Sequence, residues 1–467
     1  MGGEGGRFRW GRLLVAAAAY SAVRFAPHPA GLSASGQQVL AIVAAALVLW
    51  ATEALPVALS SLLLLILLGS AAGLPSFGQA FVGFTSQVVF FLLGVQVMSV
   101  AVLKSGLAAR AARLFLTRAR GRPGRLLPQL ATLLPGLALV LPSAITRNAV
   151  LVPAYQEVFT RMGVAPDARI PRALMLFLGV LHPLFSSAFL TGGTSSMTTA
   201  TLLGGFTWWR WFALMSVPYY TLLLLGGTAL WVLLRRAPSP ALRPISPEAR
   251  RPFTAPEART VITIALASAL WLTDFWHGLS PALPALLAAT LLLLPGVGVL
   301  TWKEFEQGTS WGIFFVLGAS LSLAAALVTS GAAAWFARLL TERALAAAPP
   351  PAVLAAALVG LAALVHLGVT NIAACLALLV PIVATLAEAL GLHPVACGLI
   401  VTMAVDGVIF YPVQTATSLI VYEAGGFTPR EVFLLGWVML ALTASVVVFV
   451  AIPYWRWWGL SLVVRAP

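Results

Sequence analysis

The residues best suited to chemistry form a polar island, Leu190-Thr191-Gly192-Gly193-Thr194-Ser195-Ser196-Met197-Thr198-Thr199, between an apolar run starting near Leu174 and another resuming at Leu202. Six of these ten residues carry hydroxyls and two are glycines. Lipid offers backbone groups no hydrogen-bond partner, so such a stretch at membrane depth fits where it lines a cavity inside protein, as the break in a discontinuous helix. The other reading is a hydroxyl-rich helix whose side chains bond back to their own carbonyls. A second island, Tyr411-Pro412-Val413-Gln414-Thr415-Ala416-Thr417-Ser418, favours the broken helix. Half-helix N-termini with hydroxyl-bearing loops suit anions, because free N–H groups and the helix dipole attract negative charge. Unwound carbonyls with Asn and Thr oxygens suit sodium.

Isolated charges inside membrane segments cost about 3 kcal/mol on insertion scales, so each marks a candidate site. Arg147 and Asp406 both stand inside apolar segments. Asp406 reads either as the partner of a buried cation or as part of a proton or cation pathway. Glu53 and Asp274 stand beside tryptophans at helix edges and read as caps or interface anchors, while His182, next to Pro183, reads as a satisfied core histidine. No metal-ligand spacing, nucleotide-binding loop or Ser-His-Asp arrangement occurs, so the chain does not read as an enzyme and no cofactor is expected. A membrane enzyme acting on a lipid-linked substrate would need an acidic or metal-binding pair at the interface, which the sequence lacks.

The elements that must position these residues come in two copies. The islands lie 221 residues apart (194 against 415), and Gly204-Gly205-Phe206 and Gly425-Gly426-Phe427 follow them at the same offset. Trp50-Ala51-Thr52-Glu53 meets Trp271-Leu272-Thr273-Asp274, and Phe90-Phe91-Leu92-Leu93-Gly94 meets Phe314-Phe315-Val316-Leu317-Gly318. Ser105-Gly106 then meets Ser330-Gly331, and Val152-Pro153 with Gly163 and Pro166 meets Val380-Pro381 with Gly391 and Pro394. Landmarks in unbroken order indicate an internal duplication. Paired repeats, each carrying an interrupted segment, point to the binding site of a secondary transporter.

Sixty per cent hydrophobic and nine per cent charged residues exclude a soluble globule, which carries about a quarter charged residues. The chain reads as an all-α polytopic membrane protein of two inverted-topology repeats, with about 11 transmembrane helices, two re-entrant helical hairpins and two broken helices. The N-terminal repeat covers 1–235, with a hairpin at about 126–160 and a broken helix at about 174–205. A linker at 236–259, rich in proline and arginine, leads to a C-terminal repeat at 260–467, with a hairpin at about 351–388 and a broken helix at about 394–426. The net charge of +14 lies in loops rather than on one basic face, which argues for topology and against nucleic acid. Arginines crowd 104–125 and 235–259 but not the matched stretch 330–343, as inversion predicts. The loop around Arg120 and the linker around Pro247 are expected to be cytoplasmic, and the loop around Ala347 periplasmic. From Gly106 onward, Arg110 and Arg113 share one face of an amphipathic surface helix. Cys375 and Cys397 lie in apolar stretches and read as packing residues.

With these landmarks in place, the chain resembles the divalent-anion/sodium symporters, a family of di- and tricarboxylate and sulfate transporters. The resemblance runs through Trp50-Ala51-Thr52-Glu53-Ala54-Leu55-Pro56, Lys104-Ser105-Gly106-Leu107-Ala108, Trp302-Lys303-Glu304-Phe305, both hairpins and both islands. Members carry Ser-Asn-Thr at each hairpin tip; here the tips read Ser143-Ala144-Ile145 and Thr370-Asn371-Ile372. The resemblance therefore implies substrate contacts from Ser143, Thr370 and Asn371, completed by Thr194, Ser195, Ser196, Gln414, Thr415, Thr417 and Ser418. Sodium as coupling ion would fall to Thr370, Asn371 and Thr415. Arg147 stands beside the altered first tip, where a guanidinium could hold a substrate carboxylate in a bidentate pair. The resemblance further implies a homodimer in the cytoplasmic membrane, moving a small anion such as a C4-dicarboxylate by an elevator displacement. An anion exchanger, or an arsenite or sodium/proton carrier with Asp406 as proton site, is the alternative.

Overall fold

The structure, a computed structural model, describes residues 10–52, 54–71, 76–108, 110, 134, 137–138, 143–161, 163–165, 168–234, 252–347 and 349–464. Glu53, Arg7 and Arg9, most of the first arm of the first hairpin, the arginines from Arg113 to Arg125 and the linker up to Arg251 lie outside the described residues. What is described is helical, with one isolated antiparallel bridge between Leu392 and Val463.

Long apolar runs without turn residues leave the backbone no partner in lipid but itself, so they coil. Eight helices among the described residues are long and apolar enough to cross a membrane. Three shorter apolar helices, Val57–Ser70, Ala282–Leu293 and Pro394–Gly407, accompany them. Leu224, Ile262, Leu364 and Phe449 are each at least 68 % exposed, a surface that only a hydrocarbon neighbour tolerates. At the polar ends, Thr254, Thr301 and Thr428 each close a capping box with the glutamate three residues on.

Several glycines paired in the sequence comparison share a backbone conformation. Gly163 and Gly391 both adopt a φ of 67°, and the pairs Gly204-Gly205 and Gly425-Gly426 all have positive φ. Gly94 and Gly318 sit where helices touch: a Cβ on Gly94 would come within 2.6 Å of the Ala285 backbone, and one on Gly318 within 2.4 Å of the Phe84 ring.

Both broken helices are present. The first runs Arg169–Ser187, stops through 188–193, and resumes as the ten-residue helix Thr194–Leu203. Within it, Phe177–Leu181 is a π-helical turn just before Pro183, which has no N–H to continue the α ladder. The second runs Pro394–Gly407, is extended at Val408, makes a short turn at Pro412–Gln414, and resumes as the eight-residue helix Ala416–Glu423. At 1.5 Å per residue the resumed pieces are about 15 and 12 Å long, half a crossing each. The helices restart at Thr194 and Ala416, one residue out of step with the 221-residue sequence match.

The second hairpin pairs Pro351–Gly368 with Ile372–Ala389, each 18 residues long, around the tip 369–371. Its second arm packs on Trp311–Thr329, Ala332–Ala347, Thr194–Leu203 and Pro394–Gly407. This arm thus joins the first-repeat island to the body of the second.

Candidate functional site

Four helix N-termini open onto one cavity of about 360 Å3. They belong to Ala144–Arg161 and Ile372–Ala389, which start at the two tips, and to Thr194–Leu203 and Ala416–Glu423, which start at the two islands. Three have a capping side chain: Ser143 Oγ accepts from Thr146 N at 3.2 Å, Asn371 Oδ1 from Ala374 N at 3.0 Å, and Thr415 Oγ1 from Ser418 N at 3.1 Å. The fourth starts at Gly193, whose extended backbone offers no side chain. Each terminus carries about half a positive charge and N–H groups without a helical partner, so four together make a strongly anion-attracting hollow without any cationic side chain.

Of the residues expected in the site, Ser143, Thr194, Ser195, Thr370, Asn371, Thr415 and Thr417 line this cavity, and Asp406 joins them. Ser196, Gln414, Ser418 and Arg147 do not. Ser196 Oγ turns back to Leu190 O at 2.8 Å and Gly193 O at 3.0 Å. Gln414 Nε2 donates to His366 O and Val408 O, both at 3.3 Å, and its Oε1 accepts from Phe410 N at 2.7 Å. These two side chains therefore satisfy the backbone groups that the breaks release, which is what makes a break tolerable inside the protein. Ser418 lies one turn into its helix, its N–H spent on the Thr415 cap. Gly192 is held by the same geometry, since a Cβ there would lie 1.8 Å from Ser186 O.

Arg147 corrects the expectation of a substrate-binding guanidinium. Ile145 and Ala149 face the cavity, and Arg147, two residues from either, points about 160° away round the helix. It is fully buried, with Nε donating to His182 Nε2 at 2.8 Å. It is not paired with Asp406, which instead accepts from Ser195 Oγ at 3.0 Å and Tyr219 Oη at 2.7 Å. His182 is a buried core histidine, as its apolar setting indicated, but it is satisfied only at Nε2; Nδ1 has no partner among the described residues. Asp274, read as a cap, accepts from the backbone N–H of Trp208 at the start of Trp208–Leu234.

Sequence reasoning missed Ser186 and Ser187, just before the first break, and Gln96, Ser99 and Ser310 on the opposite wall. Val88, Phe91, Leu92, Val95, Gln96, Ser99, Val100 and Leu103 form one continuous face of the helix Gln87–Ser105. The polar pair Gln96 and Ser99, three apart in an otherwise apolar span, was the signal available. Gln96 Oε1 is held by Ser310 N at 2.8 Å.

Outside the apolar spans, Lys104 bonds Glu304 and pulls its carboxyl down to about 2. Arg110 makes a two-pronged contact with Glu257, Nε to Oε1 at 3.0 Å and Nη2 to Oε2 at 2.8 Å, and that hydrogen bonding holds Glu257 down to about 2 as well. The Arg110 guanidinium also lies 4.2 Å over the Phe253 ring, anchoring the start of the second half to the first.

A hollow of this kind belongs to a carrier, and comparison with known proteins agrees. Residues 7–461 match the family described as the sodium:sulfate symporter transmembrane region. The chain is similar to a membrane protein of Cupriavidus necator, 27% identical over 96% of this chain and 93% of that one. It is also similar to the chloroplastic dicarboxylate transporter 1 of Spinacia oleracea, 26% identical over 67% of this chain and 57% of that one. Sodium/sulfate cotransporter 1 of Chlamydomonas reinhardtii is 27% identical over 39% of this chain and 22% of its own. Among solved structures, the YdaH transporter of Alcanivorax borkumensis shares the fold, with a TM-score of 0.55 and 19% identity over 82% of this chain and 86% of that one. Matched to the family along nearly its whole length, the chain belongs to the sodium:sulfate symporters, transporters of the divalent-anion/sodium class.

Proposed function

We propose that this protein carries small divalent anions, C4-dicarboxylates first among them, across the cell membrane. The observation that carries the reading is the meeting of four helix N-termini at a hydroxyl-lined cavity of about 360 Å3. Several termini along one cavity suit an anion with a charge at each end. The name of the spinach relative supports a dicarboxylate. Sulfate is the second reading, supported by the Chlamydomonas relative's name, although one sulfate would leave much of the volume to water.

On this proposal a co-transported sodium ion sits at the second tip, among Thr370, Asn371 and Thr415, all on the cavity wall. The two repeats, 1–235 and 260–467, are related by inversion, and the hairpins enter and leave the membrane on one side. Hairpins and broken helices move together against the remaining helices in an elevator displacement, within a homodimer. The test is uptake of succinate, malate, citrate and sulfate into proteoliposomes, with and without a sodium gradient. No uptake of any of the four under any gradient would overturn it.

A further inference from the structure

Among the described residues on the cavity wall, one carries a charge, and its sign is wrong for an anion. Asp406, 3 % exposed, ends the helix Pro394–Gly407 and reaches the hollow that the four N-termini form. Ser195 and Tyr219 both donate to its Oδ2, and the Ser187 hydroxyl also lies within hydrogen-bonding reach of the carboxyl. One singly charged end of a dianion about 5 Å from an ionised carboxylate, at an effective dielectric constant of about 20, would bind on the order of a few hundredfold more weakly than beside a neutral one. Anion binding and the charge on Asp406 are therefore coupled by position alone.

We propose that Asp406 is a coupling-proton site: Oδ1 takes a proton from the solution filling the cavity as the anion binds and returns it when the anion leaves on the other side. The step is a reversible protonation, carboxylate plus proton giving the neutral acid, and needs no further reactant. It rests on the anion-carrier reading above and deepens it. At the first tip, Ala144 and Ile145 offer no side-chain oxygen for a second cation beside Ser143, and a proton on Asp406 supplies the missing positive charge.

The surroundings leave this titration to Asp406. Tyr219 is the titratable group that touches it. On the other elements packed around its helix, His182 is engaged by Arg147, His366 Nδ1 donates to Val369 O at 2.9 Å, and Cys375 is buried among apolar residues. Glu431 closes a capping box at the far end of its helix.

The test uses the full chain in detergent and Asp406→Asn, which keeps an oxygen for Ser195 and Tyr219 but cannot titrate. Infrared difference spectra between about pH 5.5 and 8.5 are expected to show a carboxylic acid band in the wild type that the variant lacks. Over the same range sulfate keeps its charge, whereas succinate begins to take up a proton at the acid end, so sulfate binding throughout, and succinate binding above about pH 6.5, read the protein. Wild-type affinity should rise up to about tenfold per pH unit on acidification, the slope of one group, and the variant should be flat. Should Asp406→Asn not fold, Tyr219→Phe, which removes one donor to the carboxylate, is expected to keep the slope and move its midpoint to higher pH. A slope that survives in Asp406→Asn, an unmoved midpoint in Tyr219→Phe, or affinity that follows sodium and not pH would overturn the proton role alone. A wild-type band with neither anion bound at any pH would overturn the carrier reading and the coupling with it.

Discussion

Thr199 Oγ1 donates to Thr402 Oγ1 across 2.7 Å, because the single proton of Thr402 is already given to Gly398 O at 2.9 Å. The bond joins the piece after the first break to the piece before the second, both residues being fully buried. Thr199→Val is expected to cost about 1 kcal/mol of stability, the ordinary value of one buried hydrogen bond, without removing any group from the cavity wall. Thermal unfolding in detergent beside succinate binding checks this; an unchanged melting curve would show that the bond does not hold the halves together.

Gly192 and Gly193 should respond oppositely to the same substitution. Gly192→Ala forces a Cβ against the Ser186 carbonyl and is expected to cost about 1–3 kcal/mol and to spoil anion binding by displacing the break. At Gly193 the nearest atom is Ser195 Oγ at 3.8 Å and the backbone is extended, so Gly193→Ala should fold normally. Equal yields of folded protein from the two variants would contradict the geometry.

Asn371 separates capping from binding. Asn371→Asp retains an oxygen for Ala374 N and should keep stability, yet it adds a negative charge at the proposed anion site and should weaken succinate binding at least about tenfold. Asn371→Ala should instead lose about 1 kcal/mol of stability with the cap. The pair of measurements is a melting curve and a binding isotherm for each variant.

For Arg147, placed behind the wall, Arg147→Gln is expected to lower stability by about 2 kcal/mol, as the loss of a hydrogen bond from a charged donor does, with the affinity of the surviving folded protein little changed. A stable variant with severely weakened binding would restore the guanidinium to the substrate.

The Arg110–Glu257 contact predicts a pH dependence of stability. Because Glu257 is lowered from 4.5 to about 2, its contribution is whole above about pH 4.5, declines as the pH falls, and is gone below about pH 2. Glu257→Gln should flatten that part of the stability profile, and Arg110→Lys, which cannot make the two-pronged contact, should flatten most of it. Melting temperatures measured between pH 3 and pH 7 read this directly.

Much of the fold could be read because glycine and hydroxyl residues are conspicuous in apolar surroundings: the breaks at Gly193 and Thr415 and the tip at Asn371 stand where composition changes. What stayed hidden depended on helix phase. Nothing in a linear string around Arg147 shows that Ile145 and Ala149 take the cavity face and leave the arginine behind them. Ser196 and Gln414 carried the same polar signal as their neighbours, but serve the carbonyls freed by the breaks, a distinction made only by three-dimensional partners. Ser310 enters the wall from a surface turn that carries no membrane signal of its own.

The unequal starts of the two island helices reach further than register. One side of the hollow begins at bare Gly193 amides, the other at Thr415 with its hydroxyl already committed, and the tips differ in the same sense, Ser143 against Thr370 and Asn371. The two ends of the hollow thus present unlike hands. On the dicarboxylate proposal, a cargo with identical ends binds the same either way round, whereas one with unlike ends meets two different receptors and has a preferred sense.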